Sequence, residues 1–421
     1  MSVPRVPCRS EDCSNTILPA TAAANDGYCA PCVAKRKHAE REEYIRANRR
    51  RIDPGSLDPI ELIAILHTRP YDPLIEWTVV PKAIDELYRG LSSDEVARLK
   101  RMAIEALRGE RSAFAEEVAQ SFATFTTVHL DDLLEAWVSA NHLWPSVIFR
   151  GAGQSIRDRI VEAIDNGSAE VNHALSALAW IGDQKVVELF RIWEAEPPWW
   201  RRSLHAGPSR YAHVAGWEPT VTGRRNLYFE RCFSLTPAHT GVSVPSSVDL
   251  LSQSDENCRW CGASMVHVID LDLSNPSFAF LEFPHQRLPV LTCYRCTCYG
   301  DHLFAQIGKD GRARWLESNV RPDWLPDESP WPMPPWYGVS GQLSSRRAVH
   351  AAGFCTSASV SQLGGLPSWV QDTAYPGCPG CKRTMTFLAQ LDNGQFPGYE
   401  GVYYAFVCVP CGITATTYQQ T

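Results

Sequence analysis

Residues 378–411 read CPGCKRTMTFLAQLDNGQFPGYEGVYYAFVCVPC, a stretch that begins and ends with a C-x2-C pair. Between the two pairs lie runs rich in β-branched and aromatic residues, 386–391 and 402–407, and this composition suits β-strands. A C-x2-C turn places two thiolates on one side of a tight knuckle, and two knuckles complete a tetrahedral zinc site. The stretch therefore predicts a two-stranded unit whose far ends are pinned together by a metal ion.

The same pattern occurs once more, 120 residues earlier in the chain. This earlier copy also begins with a C-x2-C pair, reaches Asp272 after an apolar run as the later copy reaches Asp392, and ends with a second knuckle. Each copy has too little apolar surface to fold alone, so zinc binding would supply much of its folding free energy. The predicted ligands are Cys258, Cys261, Cys293 and Cys296 in the earlier copy and Cys378, Cys381, Cys408 and Cys411 in the later one.

A third group of four cysteines lies at the start of the chain, where a C-x4-C pair and a C-x2-C pair are separated by fifteen residues. In a reducing compartment, paired cysteines indicate metal sites more readily than disulfides. We therefore expect about three structural Zn²⁺ ions per chain. The ligands predicted for this first group are Cys8, Cys13, Cys29 and Cys32.

Two other uses of paired cysteines compete with structural zinc. A redox pair would need an exposed thiol of low pKa at a helix start, whereas the later pairs are flanked by predicted strands. A catalytic zinc ion keeps an open position and usually has histidine or carboxylate ligands, whereas four thiolates close the site. The other three cysteines are predicted to be small buried apolar residues; they are Cys232, Cys298, which aligns with Ile413 in the duplication, and Cys355.

Between the first and second cysteine groups the sequence is predicted to be helical. Asp58 and the Ser92–Glu95 pair are helix-capping signals, because their side chains can bind the free N–H groups of a first helical turn. Helical patterns follow at 111–125, 130–140, 154–165 and 169–181, and Asp183 is predicted to cap another helix. Short helices joined by brief turns predict a solenoid-like stack, with an irregular bundle as the alternative.

These patterns predict an α+β multidomain protein with three parts. Residues 1–51 would form a treble-clef-like zinc module with a basic helix, and residues 52–216 an α-helical domain. Residues 217–421 would form a β-rich domain that contains the duplicated zinc-knuckle units.

The charge of the chain is unevenly distributed. The net charge is −7, yet residues 33–51 contain eight Lys or Arg and three Glu. This basic segment is either a solvated helix face or a nucleic-acid contact. The first residues lack the apolar core of a signal peptide and no stretch is long enough to span a membrane, so we expect a cytoplasmic protein without membrane contact.

The segment Leu363-Gly364-Gly365-Leu366-Pro367-Ser368-Trp369-Val370-Gln371-Asp372, followed by a strand ending in Gln390-Leu391, resembles the hallmark of the YwqG-like family of bacterial proteins. The resemblance covers roughly residues 220–421, and the residues 179–183 are loosely similar to HEAT-type repeats. The YwqG-like resemblance implies a β-rich fold. It also implies that the gene lies beside polymorphic toxin genes, where proteins of this kind act as immunity partners.

The sequence contains none of the motifs G-x-x-x-x-G-K-[ST], G-x-S-x-G or H-E-x-x-H and no Rossmann fingerprint. We therefore predict a protein that is not an enzyme. The favoured function is an immunity protein that binds and neutralises a cognate toxin domain, since an acidic body suits a basic effector. The alternative is a nucleic-acid-associated zinc protein that acts through the N-terminal knuckle and basic helix.

Overall fold

The computed structural model describes residues 4–68, 71–109, 111–238, 247–300, 302–326, 338–350, 361–392, 394 and 400–420. These residues have an α+β fold, as the sequence predicts. The chain divides into two compact units, Met1–Lys82 and Ala83–Thr421. The division into three parts at residues 51 and 216 stays a prediction. Among the described helices, none combines the length and the apolar character needed to cross a membrane.

The first unit contains one long helix that follows a small hairpin. Its elements are β1 (Val6–Pro7), β2 (Thr16–Ile17), α1 (Pro19–Ala24), α2 (Ala30–Asn48), β3 (Arg50–Ile52), α3 (Pro59–Thr68) and β4 (Ile75–Trp77). Strands β1 and β2 pair antiparallel, and β3 and β4 pair parallel. Cys29 is the N-cap of α2, and Ile45 is the buried residue of that helix.

The helices of the second unit come first in its sequence. They are α4 (Ile84–Gly90), α5 (Ser93–Arg108), α6 (Ser112–Phe125), α7 (Asp131–Ser139), α8 (Gln154–Asp165), α9 (Val171–Ile181), α10 (Gln184–Ala195) and α11 (Pro208–Val214). The predicted capping box of Ser92 and Glu95 is present, and Asp183 caps α10 by accepting a hydrogen bond from Val186 N at 2.9 Å. Several helices pack on their neighbours in sequence, including α5 on α6, α7 on α8 and α8 on α9.

The strands of the second unit form one large antiparallel sheet and a short hairpin. The hairpin is β5 (Trp217–Pro219) with β6 (Arg224–Asn226). The strands of the sheet are β7 (Cys232–Pro237), β8 (Val248–Asn257), β9 (Ser264–Asp272), β10 (Arg287–Thr292), β11 (Leu303–Ile307), β12 (Ala313–Trp315), β13 (Val339–Arg346), β14 (Gln362–Gly364), β15 (Thr386–Asp392), β16 (Val402–Cys408) and β17 (Ile413–Gln419). Within the described residues, their order is β10-β9-β8-β13-β7-β14-β15-β16-β17-β11-β12.

The sheet is curved so that β10, at one edge of the strand order, contacts β17, which lies near the other edge. The hydroxyl of Thr416 on β17 lies 3.0 Å from that of Thr292 on β10. The helices contact the β5–β6 hairpin through a buried aromatic residue: Trp217 of β5 donates a hydrogen bond to Ala179 O at 2.8 Å and stacks on Phe190. The hairpin is therefore packed against α9 and α10.

Candidate metal centres

The twelve cysteines predicted as ligands come together in three groups of four. Within each group the sulfur atoms all lie within 4.8 Å of one another. Individual sulfur–sulfur distances are 3.6 Å for Cys13–Cys29, 3.9 Å for Cys258–Cys296, and 3.7 Å for both Cys261–Cys293 and Cys381–Cys408.

These distances match a tetrahedral zinc site. Four Zn–S bonds of ~2.3 Å in a tetrahedron place the sulfur atoms about 3.8 Å apart, whereas a disulfide bond would hold two of them at about 2 Å. All of these residues are free cysteines. Each group can therefore bind one zinc ion, and together they account for about three structural zinc ions per chain.

The second and third centres have the same local construction. Cys258 N donates to Ala263 O and Gly262 N donates to Cys258 O, both at 2.8 Å. At the equivalent positions, Cys378 N donates to Arg383 O and Lys382 N donates to Cys378 O, again at 2.8 Å. The backbone of the two knuckles is thus closed by the same pair of hydrogen bonds.

The strands that join the knuckles are also equivalent. β9 pairs antiparallel with β10, and β15 with β16, and each pair contains one register shift. Asp272 and Asp392 end the first strand of each copy, where each carboxylate accepts a hydrogen bond from the backbone N–H two residues later. The predicted arrangement of knuckle, strand, loop, strand and knuckle is therefore present twice.

The first centre is assembled by the β1–β2 hairpin and the start of α2. Cys8 N bonds to Asn15 O at 2.8 Å, and Cys29 N donates to the sulfur of Cys8 at 3.2 Å. Cys32 lies in the first turn of α2. The N-terminus of a helix carries partial positive charge, which favours thiolates at this position.

Each tetrad contains a cysteine whose thiol pKa is lowered. The pKa of Cys29 falls to about 6, chiefly because Asn15 donates a hydrogen bond to its sulfur. The pKa of Cys381 also falls to about 6, chiefly through the backbone N–H of Arg383. Hydrogen bonds with the two cysteines of the opposite knuckle lower the pKa of Cys258. Because the thiolate is the form that binds metal, each tetrad offers a first ligand for the ion.

The cysteines outside the tetrads have different environments. Cys232 is buried, as predicted, and burial raises its thiol pKa to about 12. The prediction that Cys298 is buried is wrong, because this residue is exposed. Its counterpart Ile413 begins the buried strand β17, whereas Cys298 lies in a 3₁₀ turn, Thr297–Tyr299, that follows the knuckle. Cys355 lies outside the described residues.

Lys382 has a left-handed backbone with φ 63°, and its counterpart Gly262 has φ 72°. An L-residue in this conformation costs ~1–2 kcal/mol, and both residues are exposed. We therefore expect Lys382→Gly to stabilise the protein by about 0.5–1 kcal/mol, after the larger chain entropy of glycine is subtracted. Gly262→Ala, the matched variant, should destabilise it by about 1 kcal/mol. Urea unfolding measures both changes, and a loss of stability in Lys382→Gly would contradict the equivalence of the knuckles.

The fold and its three tetrads define an α+β protein stabilised by several closed zinc centres. No protein-family model matches the chain, and no solved structure matches it. The chain is similar to the uncharacterized protein YpfL of Salmonella typhimurium, with 40% identity over 427 residues that cover 99% of each chain. It therefore belongs to the same protein family as YpfL.

Proposed function

We propose that this protein binds another protein and neutralises it, as a cytoplasmic immunity protein whose partner is a bacterial toxin domain. The observation that carries the proposal is the closed character of all three metal centres. Four thiolates leave no open position for a substrate or an activated water. The zinc ions would therefore hold the scaffold in shape, and the protein would act through its surface.

The charge of the second unit supports a basic partner. On α8, Asp158, Glu162 and Asp165 are exposed and lie three or four residues apart, so they share one face of the helix. Asp158 also forms an ion pair with Arg157 at 2.8 Å. A patch of one sign attracts a partner of the opposite sign and raises the rate of encounter. A toxin domain that acts on nucleic acid carries the positive charge that this face would attract.

The test begins by expressing the reading frames that adjoin this gene and co-expressing any toxic one with this protein. We expect the wild-type chain to restore growth, and the variant Asp158→Lys/Glu162→Lys/Asp165→Lys to bind the purified toxin domain at least about tenfold more weakly, with a slower association rate. The matched control is Glu40→Lys/Glu42→Lys/Glu43→Lys on α2, which reverses the same number of exposed charges. Absence of any toxic neighbour, or full binding by the α8 variant, would contradict the proposal.

The nucleic-acid alternative has weaker support. Helix α2 is exposed along most of its length, which suits a contact with a phosphate backbone. However, Arg51 forms an ion pair with Glu76 at 3.0 Å and Arg49 donates to Pro73 O at 3.3 Å, so two of the basic residues already have partners. Steeply salt-dependent binding of mixed-sequence DNA or RNA would favour this alternative.

A further inference from the structure

The second unit contains a cavity of about 600 Å³ between its helical residues and the segment 367–373. We call it the tryptophan cavity, because Trp144, Trp180 and Trp369 contribute to its wall. Its volume lies within the range of ~300–1,000 Å³ that is typical of sites for small ligands. Most of the segment 367–373 belongs to the stretch Leu363–Asp372 that resembles the YwqG-like hallmark, so this stretch contributes one wall of the cavity.

Trp369 is held rigidly in this wall. Its ring stacks on Tyr404 with a centroid distance of 4.7 Å and an interplanar angle of 24°. The phenol of Tyr404 donates to Ser368 O at 2.6 Å, and Val370 N donates to Gln419 Oε1 at 3.1 Å. Stacking and hydrogen bonds on both sides of the residue fix the orientation of the indole, and a preformed wall lowers the entropic cost of binding.

One polar atom of this wall is unsatisfied. Trp369 Nε1 is buried and has no hydrogen-bond partner among the residues that the structure describes. A buried donor without a partner costs ~1–3 kcal/mol. Because this atom has almost no accessible surface, a molecule in the cavity would contact the indole ring and not its N–H group.

The floor and the rim of the cavity differ in polarity. Trp180 and Val147 are buried apolar residues, whereas Arg210 and Asp372 are exposed at the lining. Trp144 is 47% exposed, and its ring lies 5.9 Å from that of His173. A ligand would therefore place a flat apolar body against the tryptophans and a polar substituent toward the rim.

We infer that the tryptophan cavity binds a small planar aromatic molecule that carries a polar substituent, the chemistry shared by nucleosides and aromatic carboxylates. This inference goes beyond the proposed function and does not depend on it, because a toxin partner is not needed for binding here. If no probe bound in the cavity, the result of the growth assay would not change. If the chain failed to restore growth, binding of the probes would not change.

Isothermal titration with three probes tests the inference: adenosine, nicotinate and cyclohexanecarboxylate. We expect at least one of the two planar probes to bind with a Kd of about 1 mM or tighter, and the saturated probe to bind at least about tenfold more weakly. Adenosine alone would identify a nucleoside site, and nicotinate alone an aromatic carboxylate site.

Two variants locate the binding. Trp369→Phe keeps a ring that can stack on Tyr404 but reduces the aromatic area of the wall, and should weaken binding about 3- to 10-fold. Trp144→Ala removes a half-exposed wall residue without touching the core, and should weaken binding about 10-fold or more. Trp199→Ala is the control, because Trp199 is 67% exposed and lies outside the lining. Planar probes that do not bind below about 5 mM, or that bind both cavity variants as well as the wild type, would overturn the inference.

Discussion

Replacing Cys381 by serine is expected to reduce the zinc content from about three ions per chain to about two. It should also lower the Tm by about 6–12 °C, because loss of a structural metal is among the few single changes that cost several kcal/mol. The third centre joins the ends of β15 and β16, and its cysteines Cys378 and Cys408 lie in a cluster with Met385, Phe406 and other apolar residues. Without the ion, the strand ends would lose the link that holds them together.

The matched control is Cys298→Ser. Cys298 is a cysteine of the same unit but is exposed and lies outside the three tetrads. We expect this variant to keep about three zinc ions and a Tm within about 1 °C of the wild type, as is usual for a surface substitution. Zinc content is measured by elemental analysis and Tm by calorimetry. Full zinc content in Cys381→Ser, or equal losses in the two variants, would show that the tetrads do not work as closed sites.

The parts of the structure that sequence predicts well are those encoded within short stretches. The spacing of the cysteines identifies the three tetrads, because a knuckle has two to four residues between its two ligands. Runs of β-branched and aromatic residues locate the strands of the two zinc units, and capping residues with apolar stripes locate most of the helices of residues 84–195, since these signals act within a few residues. The alignment of the two copies fails at Cys298, where it predicts a buried apolar residue but the chain forms an exposed turn.

The order of the strands could not be predicted in the same way. Strands β8, β13, β7 and β14 lie between the two zinc units in the sheet, although β7 and β8 precede both units in sequence and β13 and β14 follow the first. Such pairings depend on long-range burial. The buried amide of Gln390, for example, accepts a hydrogen bond from Ser368 N at 2.8 Å, and this contact has no signature in either segment alone. The tryptophan cavity escaped prediction for the same reason, because its lining comes from several distant segments.

Gly364→Ala is expected to destabilise the protein by about 3–5 kcal/mol. Gly364 has a left-handed backbone with φ 68°, which costs an L-residue ~1–2 kcal/mol. It also pairs with Cys232 across β14 and β7, and an added Cβ would overlap the backbone oxygen of Arg231. A backbone atom in a sheet cannot move aside as a flexible side chain can, so the overlap adds to the conformational cost.

Gly338→Ala separates these two contributions. Gly338 also has a left-handed backbone, with φ 74°, but no atom of the residues that the structure describes lies within 4 Å of the position that its Cβ would take. This variant should lose only about 1–2 kcal/mol in urea unfolding. Because Gly364 lies three residues before the segment 367–373, the alanine variant should also weaken binding of planar probes in the tryptophan cavity, whereas Gly338→Ala should not. Equal losses of stability in the two variants would mean that the backbone at Arg231 moves to accommodate the added Cβ. The close approach of β14 to β7 would then not determine the position of the cavity wall.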